Sequence, residues 1–260
     1  MVFHLSKNLI DNNKLKAIAY ENYERRNYKL ALKNFNKLIS FDSSNGDFYL
    51  SRGKIKIELI QYKEALHDID KAIELFIEQP DKFHILRESG CFFFRGLTHY
   101  NLKHFQNALD DFKEAFKIDF CERTFPIRFY IGKCHYFLNE YEAAEEQFNE
   151  VIGSYEDELE NDFETECFPD ESIYYWRGLT LLFGYRDYEY AEKDFTKAIE
   201  LNSNIHEYFF YRGYNAEKQN QYEESIYDYS QSIELNPKNS YSYYERGNCL
   251  IKLEKYKEAI

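Results

Sequence analysis

The sequence predicts an all-α fold made of about seven consecutive helix–turn–helix repeats. Residues that break helices are rare, because the 260-residue chain holds only 10 Gly and 4 Pro. A small residue recurs with a basic period of 34 residues, which is lengthened at a few places. An aromatic residue, a second small residue and a large apolar residue follow it at nearly constant distances, so each copy predicts one helical hairpin.

The repeated positions identify the elements of each hairpin. The first small residue is Ala19, Gly53, Gly96, Gly132, Gly178, Gly213 or Gly247. The aromatic residue about nine positions later is Tyr28, Tyr62, Phe105, Tyr141, Tyr188, Tyr222 or Tyr256. The large apolar residue of the second helix is Phe35, Ile69, Phe112, Phe148, Phe195 or Tyr229. Glycine inside a helix costs ~1 kcal/mol relative to alanine, so its recurrence indicates that a neighbouring helix packs close to the backbone.

On these residues the chain resembles the tetratricopeptide repeat family, over roughly nine-tenths of its length. The resemblance implies a right-handed α–α superhelix in which the first helix of every repeat lines a concave groove. We expect an N-terminal segment at 1–11, followed by the array at 12–260. The repeats are expected at 12–45, 46–79, 89–122, 125–158, 171–205, 206–239 and, truncated, 240–260.

Three places interrupt the period. Residues 80–88 are an insertion, for which we expect a longer loop or a helix extension. A single extra residue near Gly184 is expected in the turn of the fifth repeat. Residues 159–170 separate the fourth and fifth repeats, and the stretch 155–171 holds nine carboxylates. Such a charge run is typical of a solvated loop, and the alternative is a contact arm for a basic partner.

Arginine and aspartate occur together within the repeats. Five repeats carry arginine directly before the small residue, at Arg52, Arg95, Arg177, Arg212 and Arg246. The repeats that carry Ile18 and Ile131 there have Asn34 and Gln147 at the aspartate position. In an antiparallel hairpin the two positions lie at the same height, so register-setting ion pairs are predicted. The predicted pairs are Arg52 with Asp68, Arg95 with Asp111, Arg177 with Asp194, and Arg212 with Asp228.

The family resemblance also implies a binding surface, because fixed positions of the first helices point into the groove. Carried over to this chain, they give Tyr20, Tyr23, Leu50, Lys54, Phe93, Leu97, Tyr100, Phe129, Lys133, Tyr136, Tyr175, Phe210, Tyr214 and Tyr244. Exposed apolar surface marks partner sites, and aromatic residues are frequent at binding hot spots. We therefore predict a groove lined by aromatic rings, richest in repeats three to six. The alternative is that these rings pack sideways between neighbouring first helices.

Charge and motifs exclude several classes of function. The net charge is −13 and no basic run occurs, which disfavours nucleic acid and anionic membranes as partners. No apolar run approaches the ~20 residues that a membrane helix needs. The five cysteines form no CxxC pair, which is consistent with reduced thiols in the cytoplasm. No phosphate-binding, metalloprotease or nucleophile-elbow motif is present, so we expect no catalytic residue, metal or cofactor.

The sequence therefore predicts a non-enzymatic, cytoplasmic scaffold or adaptor. Its groove would bind a peptide or helical segment of a partner protein. Three alternatives stay open: a regulatory repeat segment of a longer multidomain protein, a co-chaperone, and an RNA-binding helical repeat. The last repeat ends within its second helix, so self-association through this uncapped end is a further expectation.

Overall fold

The computed structural model describes residues 2–78, 84–118, 124–160 and 171–259, and the chain divides into two compact units, 1–127 and 128–260. Every regular element in the described ranges is helical, so the predicted all-α class is confirmed. A π-helix at Leu181–Tyr185 continues α9. The α-helices in these ranges are α1 (Val2–Glu24), α2 (Tyr28–Phe41), α3 (Gly46–Glu58), α4 (Tyr62–Glu78), α5 (His84–Asn101), α6 (Phe105–Ile118), α7 (Thr124–Phe137), α8 (Tyr141–Glu160), α9 (Ser172–Thr180), α10 (Tyr188–Leu201), α11 (His206–Lys218), α12 (Tyr222–Leu235) and α13 (Ser240–Lys252).

In the first unit, helices that follow one another pack as pairs, α1 on α2, α3 on α4 and α5 on α6. The second helix of a pair is strongly amphipathic. In α2 the buried residues are Ala31, Phe35 and Leu38, which share one helical face because they are three or four positions apart. They pack with the buried Phe48 and Ile55 of α3. Full burial of a phenylalanine or isoleucine contributes about 1.5–3 kcal/mol, and this core holds neighbouring pairs together.

The second unit repeats this arrangement. Here α9 packs on α10 and α11 on α12, while α10 contacts α11 and α12 contacts α13. The buried face of α10 carries Ala191, Asp194, Phe195 and Ala198. Phe195 is fully buried and packs with Leu182 of the π-helix. One hairpin therefore supplies part of the core of the next, as in other repeat proteins.

Close approach of paired helices explains the recurrent glycine. A Cβ atom added to Gly132 would lie 2.7 Å from the Phe148 ring, which is below van der Waals contact. The same substitution at Gly247 would meet Ala259 O at an ordinary 3.7 Å. The packing demand is therefore strict in the inner repeats and relaxed in the last one.

Each hairpin turns through a non-glycine residue with positive φ, in the left-handed region. These residues are Arg26, Ile60, Lys103, Asn139, Arg186, Asn220 and Glu254. A left-handed L-residue costs about 1–2 kcal/mol, which the surrounding hydrogen bonds must offset. In the first turn, for example, Asn27 N donates to Asn22 O at 2.8 Å. The turn is thus defined by backbone hydrogen bonds and not by a turn-specific residue type.

The extra residue of the fifth repeat lies in a helix and not in the turn, so the predicted location was wrong. Arg186 follows Gly178 by eight residues, whereas the other left-handed residues follow the small residue by seven. The π-helix at Leu181–Tyr185 accommodates the additional residue, because a wider turn holds one more residue than an α-turn. Gly184 lies in this π-helix, where an added Cβ would be 2.6 Å from Tyr141 Cγ.

Two predicted boundaries also differ from the structure, whereas the helix extension expected as one alternative for the insertion is present. Helix α1 begins at Val2, so residues 2–11 belong to the first helix and not to a separate segment. Helix α5 begins at His84, which makes residues 84–88 of the insertion a helix extension. Helix α8 continues to Glu160, so the predicted acidic loop does not begin at residue 159, and its remainder, 161–170, lies outside the described residues. Propensity within these segments favours helix, because Leu, Lys and Glu are good helix formers.

Candidate protein-binding surface

Aromatic side chains of the first helices line one face in each unit, because residues three, four or seven apart on a helix share a side. The unit-2 ring face is defined as Tyr130, Lys133, Tyr136, Phe137, Tyr175, Trp176, Phe183, Tyr211 and Tyr214. The unit-1 ring face is defined as Tyr20, Tyr23, Lys54, Phe93, Phe94, Leu97 and Tyr100.

Trp176 connects α7 to α9 on the unit-2 ring face. Its ring centroid lies 5.4 Å from that of Tyr136, 5.5 Å from that of Phe137 and 5.8 Å from that of Tyr175. All three contacts are edge-to-face. Such pairs contribute about 0.5–1.5 kcal/mol beyond their buried area, because the positive ring edge meets a negative ring face.

The ring contacts continue onto α11. The Tyr175 and Tyr211 centroids are 5.8 Å apart. Phe183 of the π-helix lies 6.1 Å from Tyr211 and 6.0 Å from Tyr214. The unit-2 ring face is therefore a continuous series of rings from α7 to α11.

These rings pack sideways between neighbouring first helices and also keep solvent-exposed surface. Phe137 and Phe183 are 39% and 41% exposed. Tyr136, Tyr175 and Tyr211 are half-buried, and burial raises the pKa of all three hydroxyl groups above the usual value. The face thus combines a fixed ring arrangement with surface that a partner can contact.

Two residues predicted to line the groove, Phe129 and Leu50, are buried at 6% and 8% exposure, and these predictions were wrong. Leu50 lies in a core cluster with Ile69 and Phe76. Phe129 packs on Phe148 of the paired second helix, with centroids 6.2 Å apart.

The same inward contact recurs at the fifth repeat position. Phe93 lies 5.8 Å from Phe112, Tyr175 lies 6.2 Å from Phe195, and Phe210 lies 5.5 Å from Tyr229. The fifth position therefore packs toward the second helix. Tyr244 of the last repeat is the exception in this set, at 65% exposure.

The sixth repeat position carries the rings that the sequence analysis missed. Four consecutive repeats are aromatic there: Phe94, Tyr130, Trp176 and Tyr211. Phe137 and Phe183, at the thirteenth position, were also missed. The recurrence at position six was visible in the sequence, but the family resemblance directed attention to position five.

Two lysines of the second unit lie over rings of this face or beside it. Lys133 Nζ is 4.8 Å from the Trp176 centroid, 5.0 Å from that of Tyr130 and 5.1 Å from that of Phe129. Lys218 Nζ is 4.3 Å from the Tyr214 centroid. An ammonium group within about 6 Å of a ring centroid is attracted by the negative ring face.

On the unit-1 ring face a lysine and a hydrogen bond connect successive first helices. Lys54 Nζ of α3 lies 4.2 Å from the Phe94 centroid of α5, which repeats the lysine–ring relation of Lys133 and Trp176. Tyr20 Oη and Ser51 Oγ are 3.2 Å apart. Tyr23 contacts Tyr28 of its own hairpin, with ring centroids 6.1 Å apart. Leu97 and Tyr100 are half-buried.

The Arg and Asp side chains that the sequence analysis paired lie within hydrogen-bonding distance. Arg52 Nη2 is 2.6 Å from Asp68 Oδ1, and Arg95 Nη2 is 2.7 Å from Asp111 Oδ1. The corresponding N–O distances are 2.7 Å for Arg177 with Asp194 and 2.8 Å for Arg212 with Asp228. Hydrogen bonding to Asp228 raises the pKa of Arg212, so the guanidinium stays charged. Each of these arginines also donates from Nε, which makes the contacts bidentate.

Each arginine also donates from Nη1 to the second helix of the preceding repeat. The acceptors are Asn36 for Arg52, Asp70 for Arg95, Asn149 for Arg177, Thr196 for Arg212 and Ser230 for Arg246. All five acceptors directly follow the large apolar residue of that helix. The repeat that lacks this arginine, at Ile131, is preceded in sequence by Lys113 at the acceptor position, which is a cation.

Comparison with known proteins agrees with the helical hairpins. Residues 218–253 match a family model described as TPR repeat. The chain has the fold of tetratricopeptide repeat proteins, and residues 218–253 match the repeat itself. Among solved structures, Pseudomonas aeruginosa PilF has a TM-score of 0.66 at 15% identity and covers 90% of this chain and 95% of its own. YrrB, described as a TPR protein with an unusual peptide-binding site, has a TM-score of 0.57 at 15% identity, covering 82% and 97%.

Two curated proteins are similar to part of this chain. Human sperm-associated antigen 1 is 25% identical over 119 residues, which are 45% of this chain and 12% of that protein. A 58 kDa phosphoprotein of Plasmodium berghei is 26% identical over 115 residues, 44% of this chain and 25% of its own length. The match thus spans an eighth to a quarter of these relatives. Tetratricopeptide repeats generally serve as non-enzymatic scaffolds for protein–protein interaction.

The described residues contain no group of three His, Cys, Asp or Glu side chains arranged to hold a metal ion. None of their helices has the length and apolarity to span a bilayer. The Cys91 and Cys134 thiols are buried, and burial raises the pKa of each to about 12, which leaves them protonated and unreactive at neutral pH.

Proposed function

We propose that this chain is a non-enzymatic scaffold whose unit-2 ring face binds a segment of a partner protein. The observation that carries the proposal is the continuous series of partly exposed rings from Tyr136 through Trp176 to Tyr214. Tyrosine and tryptophan provide large contact area at low cost in side-chain entropy, which is why they are frequent at binding hot spots.

The fixed arrangement of the rings favours binding. Each ring of the series is held by at least one neighbour at a centroid distance of 5.4–6.1 Å. A partner that docks on this face therefore orders few side chains of the scaffold, and the entropic cost of binding is reduced. The structural neighbour YrrB is described as having a peptide-binding site, which supports a peptide or helical segment as the ligand class.

A capture experiment with matched variants tests this proposal. Wild-type protein, a Tyr136→Ala/Tyr211→Ala variant and a Tyr190→Ala/Tyr227→Ala control would be used to capture partners from a lysate. The captured candidate would then be purified and its affinity for all three proteins measured by calorimetry. Tyr190 and Tyr227 are 59% and 61% exposed on second helices, so the control removes the same chemistry outside the ring face.

We expect the ring-face variant to lose affinity by roughly 10-fold or more, as hot-spot aromatic residues do, and the control to stay near wild type. Circular dichroism would establish that all three proteins are equally helical. Equal affinity of the ring-face variant and wild type would exclude this face as the binding site.

A further inference from the structure

We infer that the unit-2 ring face takes a positively charged amphipathic segment, whose lysine or arginine side chains contact the rings and whose apolar side chains fill the space between them. This inference rests on the proposed function and specifies the chemistry of the partner. Four observations carry it: the distribution of charge along the chain, the ammonium groups on this face, a carboxylate beside the rings, and a cleft next to Tyr211.

The net negative charge of the chain is confined to the second unit. Residues 128–260 hold 28 Asp and Glu against 13 Lys and Arg, a net charge of −15, whereas residues 1–127 have a net charge of +2. Without residues 161–170, the second unit still has a net charge of −11. A field of this sign attracts cationic segments and repels anionic ones, and it accelerates the encounter of complementary partners.

The rings of this face already bind ammonium groups of the chain itself. Lys133 Nζ lies within 5.1 Å of three ring centroids, and Lys218 Nζ lies 4.3 Å from that of Tyr214. These intramolecular contacts show that a cation fits against such rings with favourable geometry. Tyr211 and Phe183 lie between these two lysines in the series, and Phe183 is 41% exposed.

A carboxylate lies beside the rings on α11. Glu207 precedes Tyr211 by four residues and is therefore on the same side of the helix. Its negative charge contributes, after burial, to raising the pKa of Tyr175 and Tyr211. Glu207 Oε1 also lies 3.2 Å from His206 Nε2, and its side chain is 47% exposed.

A cleft next to Tyr211 provides space for one cationic side chain. It has a volume of about 490 Å³ and lies between the first turns of α11 and α13. Glu207, Phe210, Tyr211 and Tyr241 line it, with the amides of Asn236 and Asn239. His206 and Lys238 line it as well. Glu207 is the one carboxylate among the lining residues. Ring walls with a carboxylate at one side suit a guanidinium, which can stack and form a hydrogen bond.

The experiment uses the full chain and its single tryptophan, Trp176, as a fluorescent reporter in the ring face. The probes are three tryptophan-free amphipathic helical peptides with identical apolar positions, whose remaining positions are arginine, glutamine or glutamate. Titrations would follow Trp176 emission, and calorimetry would give the dissociation constants at low and high salt. The variants are Phe183→Ala, Tyr211→Ala and Glu207→Gln, with Tyr190→Ala/Tyr227→Ala as the control.

We expect the affinity of the arginine peptide to exceed that of the glutamine peptide by roughly 10-fold or more. The affinity of the arginine peptide should fall at high salt. Phe183→Ala and Tyr211→Ala should weaken it, and Glu207→Gln should weaken the arginine peptide but not the glutamine peptide. The control should leave all affinities unchanged.

The outcomes separate this inference from the proposed function. If the glutamine or glutamate peptide binds as tightly as the arginine peptide, and Tyr211→Ala weakens that binding, a cationic partner is excluded. The proposal that the unit-2 ring face binds a partner is then retained. If no peptide binds, or if the control variant loses as much affinity as Tyr211→Ala, both proposals fail.

Discussion

Arg177 Nη1 donates a hydrogen bond to Asn149 Oδ1 at 2.8 Å, and this bond connects two consecutive repeats. The same guanidinium holds Asp194 of its own repeat through Nε and Nη2. One side chain thus fixes the height of the second helix against the first and the position of the hairpin against its predecessor. The bidentate geometry is specific to arginine, because an ammonium group cannot present three donors in one plane.

Removal of one member of a buried pair should be more damaging than removal of both. Asp194→Ala leaves the half-buried Arg177 without its carboxylate, and we expect a loss of roughly 3–5 kcal/mol of unfolding free energy. The double variant Arg177→Leu/Asp194→Leu should recover much of this loss, because no charge is left uncompensated. Urea denaturation followed by circular dichroism would measure both. If the double variant is as unstable as Asp194→Ala, the uncompensated charge of Arg177 is not the cause of the lost unfolding free energy.

The folded protein should tolerate loss of the Asn149 acceptor better than replacement of Asn149 by a cation. Asn149→Ala removes one hydrogen bond, worth about 1 kcal/mol. Asn149→Lys places an ammonium group next to Arg177, and we expect a clearly larger fall in melting temperature. Ser154→Lys, an exposed position on the same helix, is the control for added charge. Equal melting temperatures of Asn149→Lys and Ser154→Lys would contradict the role assigned to the acceptor position.

Two glycines of the second unit should respond in opposite directions to alanine. In Gly132→Ala the new Cβ would meet the Phe148 ring at 2.7 Å, so we expect destabilisation by about 1–3 kcal/mol. In Gly153→Ala nothing lies within 4 Å of the new Cβ, and the gain in helix propensity should stabilise the protein by up to about 1 kcal/mol. Thermal unfolding would compare the two. Adding Phe148→Leu to Gly132→Ala should restore part of the stability if the ring clash is responsible.

His99 should make the first unit less stable in mild acid. Burial lowers the pKa of His99 below its usual 6.5, and this effect exceeds the opposing effect of the nearby Asp111 carboxylate. The folded state therefore binds fewer protons than the unfolded state, so the stabilisation is complete above about pH 6.5 and declines as the pH falls toward the lowered value. His99→Gln should reduce the fall in melting temperature between about pH 7.5 and pH 5.5. The exposed His67, replaced in the same way, is the control.

The repeat pattern was sufficient to predict the helices, because the small and the large apolar positions correspond to a contact that recurs in the inner hairpins. Gly132 and Phe148, for example, meet as their spacing requires. The π-helix was not predictable as such. The sequence shows one extra residue near Gly184, but local propensity does not decide between a longer turn and a wider helical turn.

The position of the aromatic ring face was predicted with an error of one residue. Position five was carried over from the family resemblance, but Phe129 and Phe210 pack on rings of their own second helices. Large aromatic residues on the second helix attract the neighbouring ring inward, which leaves position six, with Trp176 and Tyr211, on the outer side. Sequence alone could not rank the two positions, because adjacent helical residues differ by only about 100° in direction.

The arginine that connects consecutive repeats has a consequence for engineering the array. A repeat with arginine before its small residue is compatible only with a neighbour that offers an acceptor after its large apolar residue, as Asn149 does for Arg177. Repeats of this chain are therefore not freely interchangeable modules. Transplanting the third repeat ahead of the fifth would place Lys113 opposite Arg177, two cations at one junction. The residue after the large apolar position therefore restricts which repeats can precede one that carries the arginine.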